Sequence, residues 1–174
     1  MITFSIRRDL GLQLLRLGGT VRLREIHALI EDVAIKDPDP PFGMVMLIDT
    51  RDATRFDTGF VEILGLNNRI NAVYSAAGHR YIGHILVGEA WKSGMVNMFN
   101  AAAGMLGNVT YHFAPDEASL LAPFGLEHLG LAQLFGPETF YYSNGMPWRA
   151  GRLPRGIVSG GADSPLQHFR KDQD

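Results

Sequence analysis

The chain has 174 residues, of which 46% are hydrophobic and 20% are charged, so it can bury one sizeable core with little room for a second full domain. Its 16 basic and 18 acidic side chains give a net charge of −2, which argues against a dedicated nucleic-acid binder because it provides no long-range attraction to polyanions. The absence of cysteine excludes disulfide scaffolds, thiolate nucleophiles and cysteine-ligated metal centres.

The N-terminal segment lacks the pattern of a secretory signal. It has no basic start followed by an apolar region, and no apolar run in the chain approaches the roughly 18 residues of a membrane-spanning helix. We therefore expect a soluble, cytoplasmic protein with no integral membrane segment.

The first quarter of the chain predicts a β-hairpin and a helix. Residues 2–7 and 12–17 carry alternating or branched apolar side chains on either side of a turn sequence, and the glycines at 18–19 end the second strand. In residues 22–36 apolar side chains recur every three or four positions, which is typical of an amphipathic helix. The proline-rich segment 37–41 stops that helix.

The middle of the chain predicts a central strand, a second helix and another strand. Residues 44–49 form a continuous apolar run, as in a parallel strand buried on both faces. The second helix begins at the step 57–59, where we expect Asp57 to cap the helix, and ends before Gly78. A strand over residues 81–88 follows.

The next elements continue the alternation. Ser93 is expected to cap a third helix, a strand follows at 109–113, and a short helix after it is interrupted by Pro123 before a last helical piece at 125–135. Strands that alternate with helices imply right-handed crossovers. We predict the α/β class, with a mostly parallel five-stranded sheet, an N-terminal hairpin and helices packed against the sheet.

The composition changes after residue 135, so we predict a domain over residues 1–135 and an arm with a weakly ordered tail over residues 136–174. Aromatic residues cluster within 140–148, and glycine, proline and arginine dominate the remainder. The aromatic arm either packs on its own domain or embraces a second subunit. The arm and the low charge density favour a homodimer.

Several segments match the pattern of a known family. They are the Gly18-Gly19 turn, Asp37-Pro38 at the end of the first helix, Leu47-Ile48-Asp49-Thr50-Arg51-Asp52 on the central strand, and residues 91–99 and 113–120. With the order of elements, these segments resemble the STAS domain of bacterial anti-sigma-factor antagonists. The chain resembles more closely the SpoIIAA-like family of stand-alone bacterial proteins.

The resemblance implies a regulatory or binding role. In phosphorylatable STAS antagonists the central strand leads to an Asp-Ser-Ser-Gly-Leu type step, in which a partner kinase modifies a hydroxyl. This chain has Phe56-Asp57-Thr58-Gly59-Phe60 in that place, so Thr58 is the candidate phosphoacceptor, with one hydroxyl fewer than the family pattern. The topology of SpoIIAA-like proteins is likened to that of CRAL-TRIO lipid carriers, which implies an apolar ligand.

Two groups of residues are candidates for a ligand or partner surface. The first comprises Asp49, Arg51 and Asp52 at the carboxyl end of the central strand, where open α/β sheets bind ligands, together with Asp57. The alternative for the first three is a local network of ion pairs.

The second group is a soft apolar stripe on the third helix, suited to a lipid or a protein partner. Its members are Trp91, Met95, Met98 and Phe99. The alternative is that the stripe is part of the core.

Two functions remain open from the sequence. The first is a non-enzymatic STAS-like module that binds a kinase, an anti-sigma-like partner or an apolar small molecule, with Thr58 as the switch. The second is an enzyme of unrecognised type that uses Asp49, Asp52, Asp57 and His84. The sequence contains no catalytic motif that we recognise, and its six histidines lack the spacing of a zinc motif, so we expect no cofactor and no metal.

Overall fold

In the computed structural model, residues 1–91, 94–136, 139–143 and 146–149 are described. They form a mixed β-sheet with helices on both faces, which confirms the α/β class. The strands are β1 (Ile2–Arg7), β2 (Leu12–Leu17), β3 (Gly19–Val21), β4 (Val45–Asp49), β5 (Ala53–Phe56), β6 (Tyr81–Leu86), β7 (Val109–Ala114), β8 (Thr139–Ser143) and β9 (Met146–Arg149). The helices are α1 (Leu23–Ile30), α2 (Phe60–Ala76), α3 (Met95–Gly104), α4 (Glu117–Leu121) and α5 (Leu131–Leu134).

The main sheet has the strand order β7-β6-β4-β2-β1-β8-β9. The pairs β2–β4, β4–β6 and β6–β7 are parallel. The predicted hairpin of β1 and β2 is antiparallel, and so are the pairs β1–β8 and β8–β9. The sheet therefore extends beyond the five predicted strands, because the arm adds two. A separate parallel pair, β3 and β5, was missed since strands of three and four residues are too short for alternation to be visible.

The central strands are buried on both faces. On β2, Leu15 and Leu17 belong to the core beneath α1, α2 and α3, whereas Leu12 and Leu14 belong to the core beneath α4 and α5. Strand β4 divides its apolar residues between the same two cores. Successive side chains of a strand point to opposite faces, so a continuous apolar run is required when helices cover both faces.

Two helix predictions need correction. The helix predicted over 125–135 is a single turn, α5, because Gly125 has a φ of +66° and ends a preceding 3₁₀ turn (Ala122–Phe124) instead of starting a helix. The first predicted helix is found, but it continues past α1 as a π-helical turn (Glu31–Ile35). Ser93, the predicted cap of the third helix, lies outside the described residues.

The arm pairs with its own chain. The backbone of residues 139–142 is antiparallel to residues 2–5 of β1. The prediction of a weakly ordered tail falls for the most part on residues 150–174, which lie outside the described residues. Within the described part of the chain, no helix combines the length and the apolar character needed to cross a membrane.

A close backbone approach fixes the carboxyl ends of β4 and β6 against each other. The buried hydroxyl of Thr50 donates to the carbonyl of Leu86 at 2.7 Å and accepts from the amide of Gly88 at 2.9 Å. A Cβ atom at Gly88 would lie 2.8 Å from the Cα of Arg51 and still closer to the Thr50 carbonyl oxygen. Glycine is therefore required at position 88 by the neighbouring backbone.

We predict that Gly88→Ala lowers the free energy of unfolding by about 1–3 kcal/mol, because the new methyl group would force backbone atoms apart. Gly104→Ala is the matched control. A Cβ atom there has no neighbour within 4 Å, so that variant should be neutral or stabilised by up to about 1 kcal/mol. Urea unfolding of both variants tests this, and equal stability of the two would contradict it.

Candidate functional site

A buried carboxylate lies at the carboxyl end of β4. Asp49 is only 2% exposed, and it accepts hydrogen bonds from the Nε and Nη2 atoms of Arg51 at 3.0 and 2.8 Å and from the Arg51 amide at 3.1 Å. The Nε atom of Arg16 on β2 lies 3.5 Å from the same carboxylate. Asp49 and Arg51 thus form a charge-assisted, two-pronged pair, which is the strongest common geometry for these groups.

Arg51 links Asp49 to the helices α4 and α5, which cover the second face of the sheet. Its Nη1 atom lies 2.7 Å from a carboxylate oxygen of Glu117 in α4, and the other oxygen of Glu117 accepts from the backbone amide of Leu131 in α5. The guanidinium of Arg16 lies 4.8 Å from the centre of the Phe135 ring, within the range of a cation–π contact. The observed arrangement is the local ion-pair network that the sequence left open as the alternative.

The charge state of Asp49 follows from these contacts. Burial opposes its ionisation, but the hydrogen bonds from Arg51 and the charges of Arg51 and Arg16 outweigh burial, so the pKa of Asp49 is lowered from its ordinary value. The hydrogen bond to Asp49 in turn raises the pKa of Arg51. A general base at neutral pH needs a pKa near 7, so Asp49 does not fit that role.

The other three residues of the enzyme hypothesis have no contact with Asp49 in the part of the chain that the structure describes. Asp52 and Asp57 are exposed, and Asp57 is paired with the exposed Arg55 at 3.8 Å. His84 contacts a different set of rings on β7 and after α4. No contact within the described part of the chain joins Asp49, Asp57 and His84, so catalysis by converging groups receives no support here.

The start of α2 differs from the prediction. The capping residue is Gly59, whose amide donates to the Oε2 atom of Glu62 at 3.0 Å. The expectation that Asp57 caps the helix is wrong, because Glu62 reaches back to the capping residue while Asp57, two residues before it, pairs with Arg55. Thr58 is half-buried immediately before the cap, and its modification stays a prediction.

The apolar stripe of the third helix lies mostly in the core. Trp91, Met95 and Phe99 are each at most 5% exposed, and the Trp91 ring packs 5.0 Å from Phe56 and 4.7 Å from Phe99. Met98 is half-buried. The alternative, that the stripe is part of the core, is therefore confirmed for Trp91, Met95 and Phe99.

Exposed apolar side chains occur instead at the start of α2. Val61 is 77% exposed and Phe60 is 39% exposed. Neither side chain was among the surface residues predicted from the sequence. The missed signal is Val61, which lies about 100° around the helix from Phe60, so an apolar pair there broadens the stripe beyond the core face.

The sequence also missed a pair of histidines on the second face of the sheet. His84 of β6 and His112 of β7 are register partners, and their rings stack 4.7 Å apart. Burial, reinforced by His112, lowers the pKa of His84 to about 4. Both residues are the fourth of their predicted strands, and this shared position was the available signal.

A shallow cleft of about 180 Å³ adjoins the pair and is lined by His84, His112, Phe113, Ala114, Pro115, Ser119, Leu120 and Pro123.

We predict that Arg51→Gln lowers the free energy of unfolding by roughly 2–3 kcal/mol, because it leaves the buried Asp49 carboxylate without its main charged partner. Arg55→Gln is the matched control, since Arg55 and Asp57 are both exposed and such pairs contribute at most about 1 kcal/mol. Urea unfolding at neutral pH measures both variants. Equal losses would contradict the importance of the Asp49 network.

We also predict that the stability difference between the wild type and D49N depends on pH. A lowered pKa in the folded state stabilises the fold above the unfolded-state value of about 4, and this stabilisation is lost as the pH falls through the lowered pKa. The wild type should therefore lose its advantage over D49N as the pH falls below about 4, the unfolded-state pKa of an aspartate. Unfolding at a series of pH values tests this, and a constant difference would refute it.

Comparisons with known proteins provide no assignment. No protein-family model matches the chain, and no curated protein matches it. The likeness to STAS domains accordingly rests on the segments quoted above and on the order of the elements.

Proposed function

We propose that this chain is a non-enzymatic STAS-like module of the SpoIIAA-like type, which binds a protein partner through the start of α2 and is switched at Thr58. The observation that carries the proposal is the exposure of Phe60 and Val61 beside that hydroxyl. Apart from the short strands β3 and β5, the elements from β1 to α4 follow each other in the order on which the resemblance rests, and this supports the proposal.

The apolar pair is suited to contact with a protein. We use the term α2-start surface for Arg55, Thr58, Phe60 and Val61. Its apolar part is small, and it is bordered by the exposed charges of Arg55 and Asp57. An apolar centre with a polar rim is the usual anatomy of a protein–protein interface.

The electrostatics of this surface give the switch a direction. A phosphate on Thr58 would add a charge of about −1.5 to −2 next to the carboxylates of Asp57 and Glu62. It would also compete with Glu62 for the Gly59 amide at the positive end of the helix dipole. The added charge would have to be desolvated when Phe60 and Val61 are buried, so phosphorylation should weaken binding of the partner.

An apolar small molecule has less support as the ligand. Three of the four side chains predicted to bind such a ligand are buried in the core, where Trp91 packs against two phenylalanine rings. The remaining one, Met98, is only half-buried but provides little area by itself. Native mass spectrometry of the purified chain would detect a copurifying lipid and would shift the proposal to that ligand.

We predict that a photo-crosslinking amino acid at position 61 captures one discrete protein in the native host, whereas the same group at position 105 does not. Met105 is the matched control because it is also an exposed apolar side chain, at 66%, but lies just after α3. Both positions face solvent, so neither substitution should change stability by more than about 0.5 kcal/mol.

The switch is tested in the same cells. Thr58→Glu should reduce the crosslink from position 61, whereas Thr58→Val, which removes the hydroxyl without adding charge, should retain it. Crosslinks that are the same from positions 61 and 105 would contradict the surface. A crosslink from position 61 that is insensitive to Thr58→Glu would contradict the switch alone.

A further inference from the structure

We propose that His84 and His112 form a two-histidine site for a divalent transition-metal ion of borderline softness, such as Cu²⁺ or Zn²⁺. The site lies on the face of the sheet opposite α2 and α3, so it is distinct from the α2-start surface. Nitrogen ligands of the imidazole type suit these ions, and each ring provides one lone pair when it is neutral.

The backbone sets the separation of the two rings. His84 and His112 are directly opposite each other on adjacent parallel strands, and such strands lie about 4.8 Å apart. The ring centres are 4.7 Å apart and the ring planes are 28° from parallel. The pair is therefore held by the sheet, whose geometry does not depend on any loop.

The two rings differ in freedom, which suits capture of an ion. His84 is half-buried, and its ring is nearly perpendicular to that of Phe124 with the ring centres 5.0 Å apart, so it is more confined than His112. His112 is exposed, so its ring can rotate about its side-chain bonds. To bind the same ion as His84, His112 would rotate so that one of its nitrogens comes to the metal–nitrogen distance of about 2.0–2.1 Å found for zinc.

Among the residues that the structure describes, the ring nitrogens have no competing protein partner. Within the described part of the chain, neither imidazole takes part in a hydrogen bond or an ion pair, and their contacts are with rings. A histidine that serves only the fold is usually tied by a hydrogen bond when it is partly buried. The free nitrogens of both rings are thus available to a ligand from outside.

The adjoining cleft determines what else the ion can hold. Its lining contains no carboxylate, and apart from the imidazoles the only side-chain hydrogen-bonding group is the hydroxyl of Ser119. No set of three or more His, Asp or Glu side chains in the described part is placed to hold a metal ion, so the protein would supply two ligands. Zinc takes four ligands, which leaves two positions for water or a small anion in the space of about 180 Å³.

The test is a titration of the full chain with Cu²⁺, followed by electron paramagnetic resonance and by the imidazole NMR signals. We expect one ion per chain, with hyperfine coupling to two imidazole nitrogens and perturbation of the His84 and His112 signals. Loss of an outer-shell partner alone costs roughly 10- to 100-fold in metal affinity, so His112→Asn and His84→Asn should each weaken binding at least about tenfold.

His128→Asn is the matched control, because His128 is exposed and lies outside the pair, and it should bind Cu²⁺ like the wild type. If His84→Asn impairs folding, His112→Asn still carries the test because His112 is exposed. Equal affinity of the wild type and His112→Asn would overturn the proposal. Perturbation of both rings by acetate but not by Zn²⁺ would also overturn it, and would identify a site for a small anion instead.

Discussion

Burial of both faces of the parallel strands is the constraint on which the rest of the structure depends. Strands β2, β4 and β6 place leucine or isoleucine side chains on each face, so each face needs its own helical cover. Helices α1, α2 and α3 cover one face, and the short helices α4 and α5 cover the other. Because α4 and α5 are short, they bury little surface by themselves and need additional contacts to hold them against the sheet.

The ion-pair network around Asp49 provides these contacts. An isolated buried carboxylate is costly, and Asp49 is stabilised by Arg51, which also binds Glu117 at the start of α4. Glu117 in turn holds the first amide of α5. Asp49 and Arg51 therefore connect the sheet to its second layer of helices. This structural role accounts for their charges without catalysis.

The surfaces that remain available lie on opposite sides of the sheet. The α2-start surface combines exposed apolar side chains with a hydroxyl at a helix N-terminus, and it suits a protein partner. The histidine pair lies beside the short helices, in a cleft too small for a large ligand. Because they use different elements, binding at the two places can be tested independently.

The sequence by itself determined the α/β class, the opening hairpin, the central strand and most helix positions, because hydrophobic periodicity and glycine or proline breaks are local signals. It did not identify that Glu62 rather than Asp57 serves the start of α2, because this depends on Gly59 being the capping residue, three positions before Glu62. It left Met95 and Phe99 open as surface or core. The tertiary structure decided for the core, since Phe99 packs against Trp91 and Met95 is buried in the same cluster. The pairing of His84 with His112 required the register of two strands 28 positions apart, which is a property of the sheet and not of either segment.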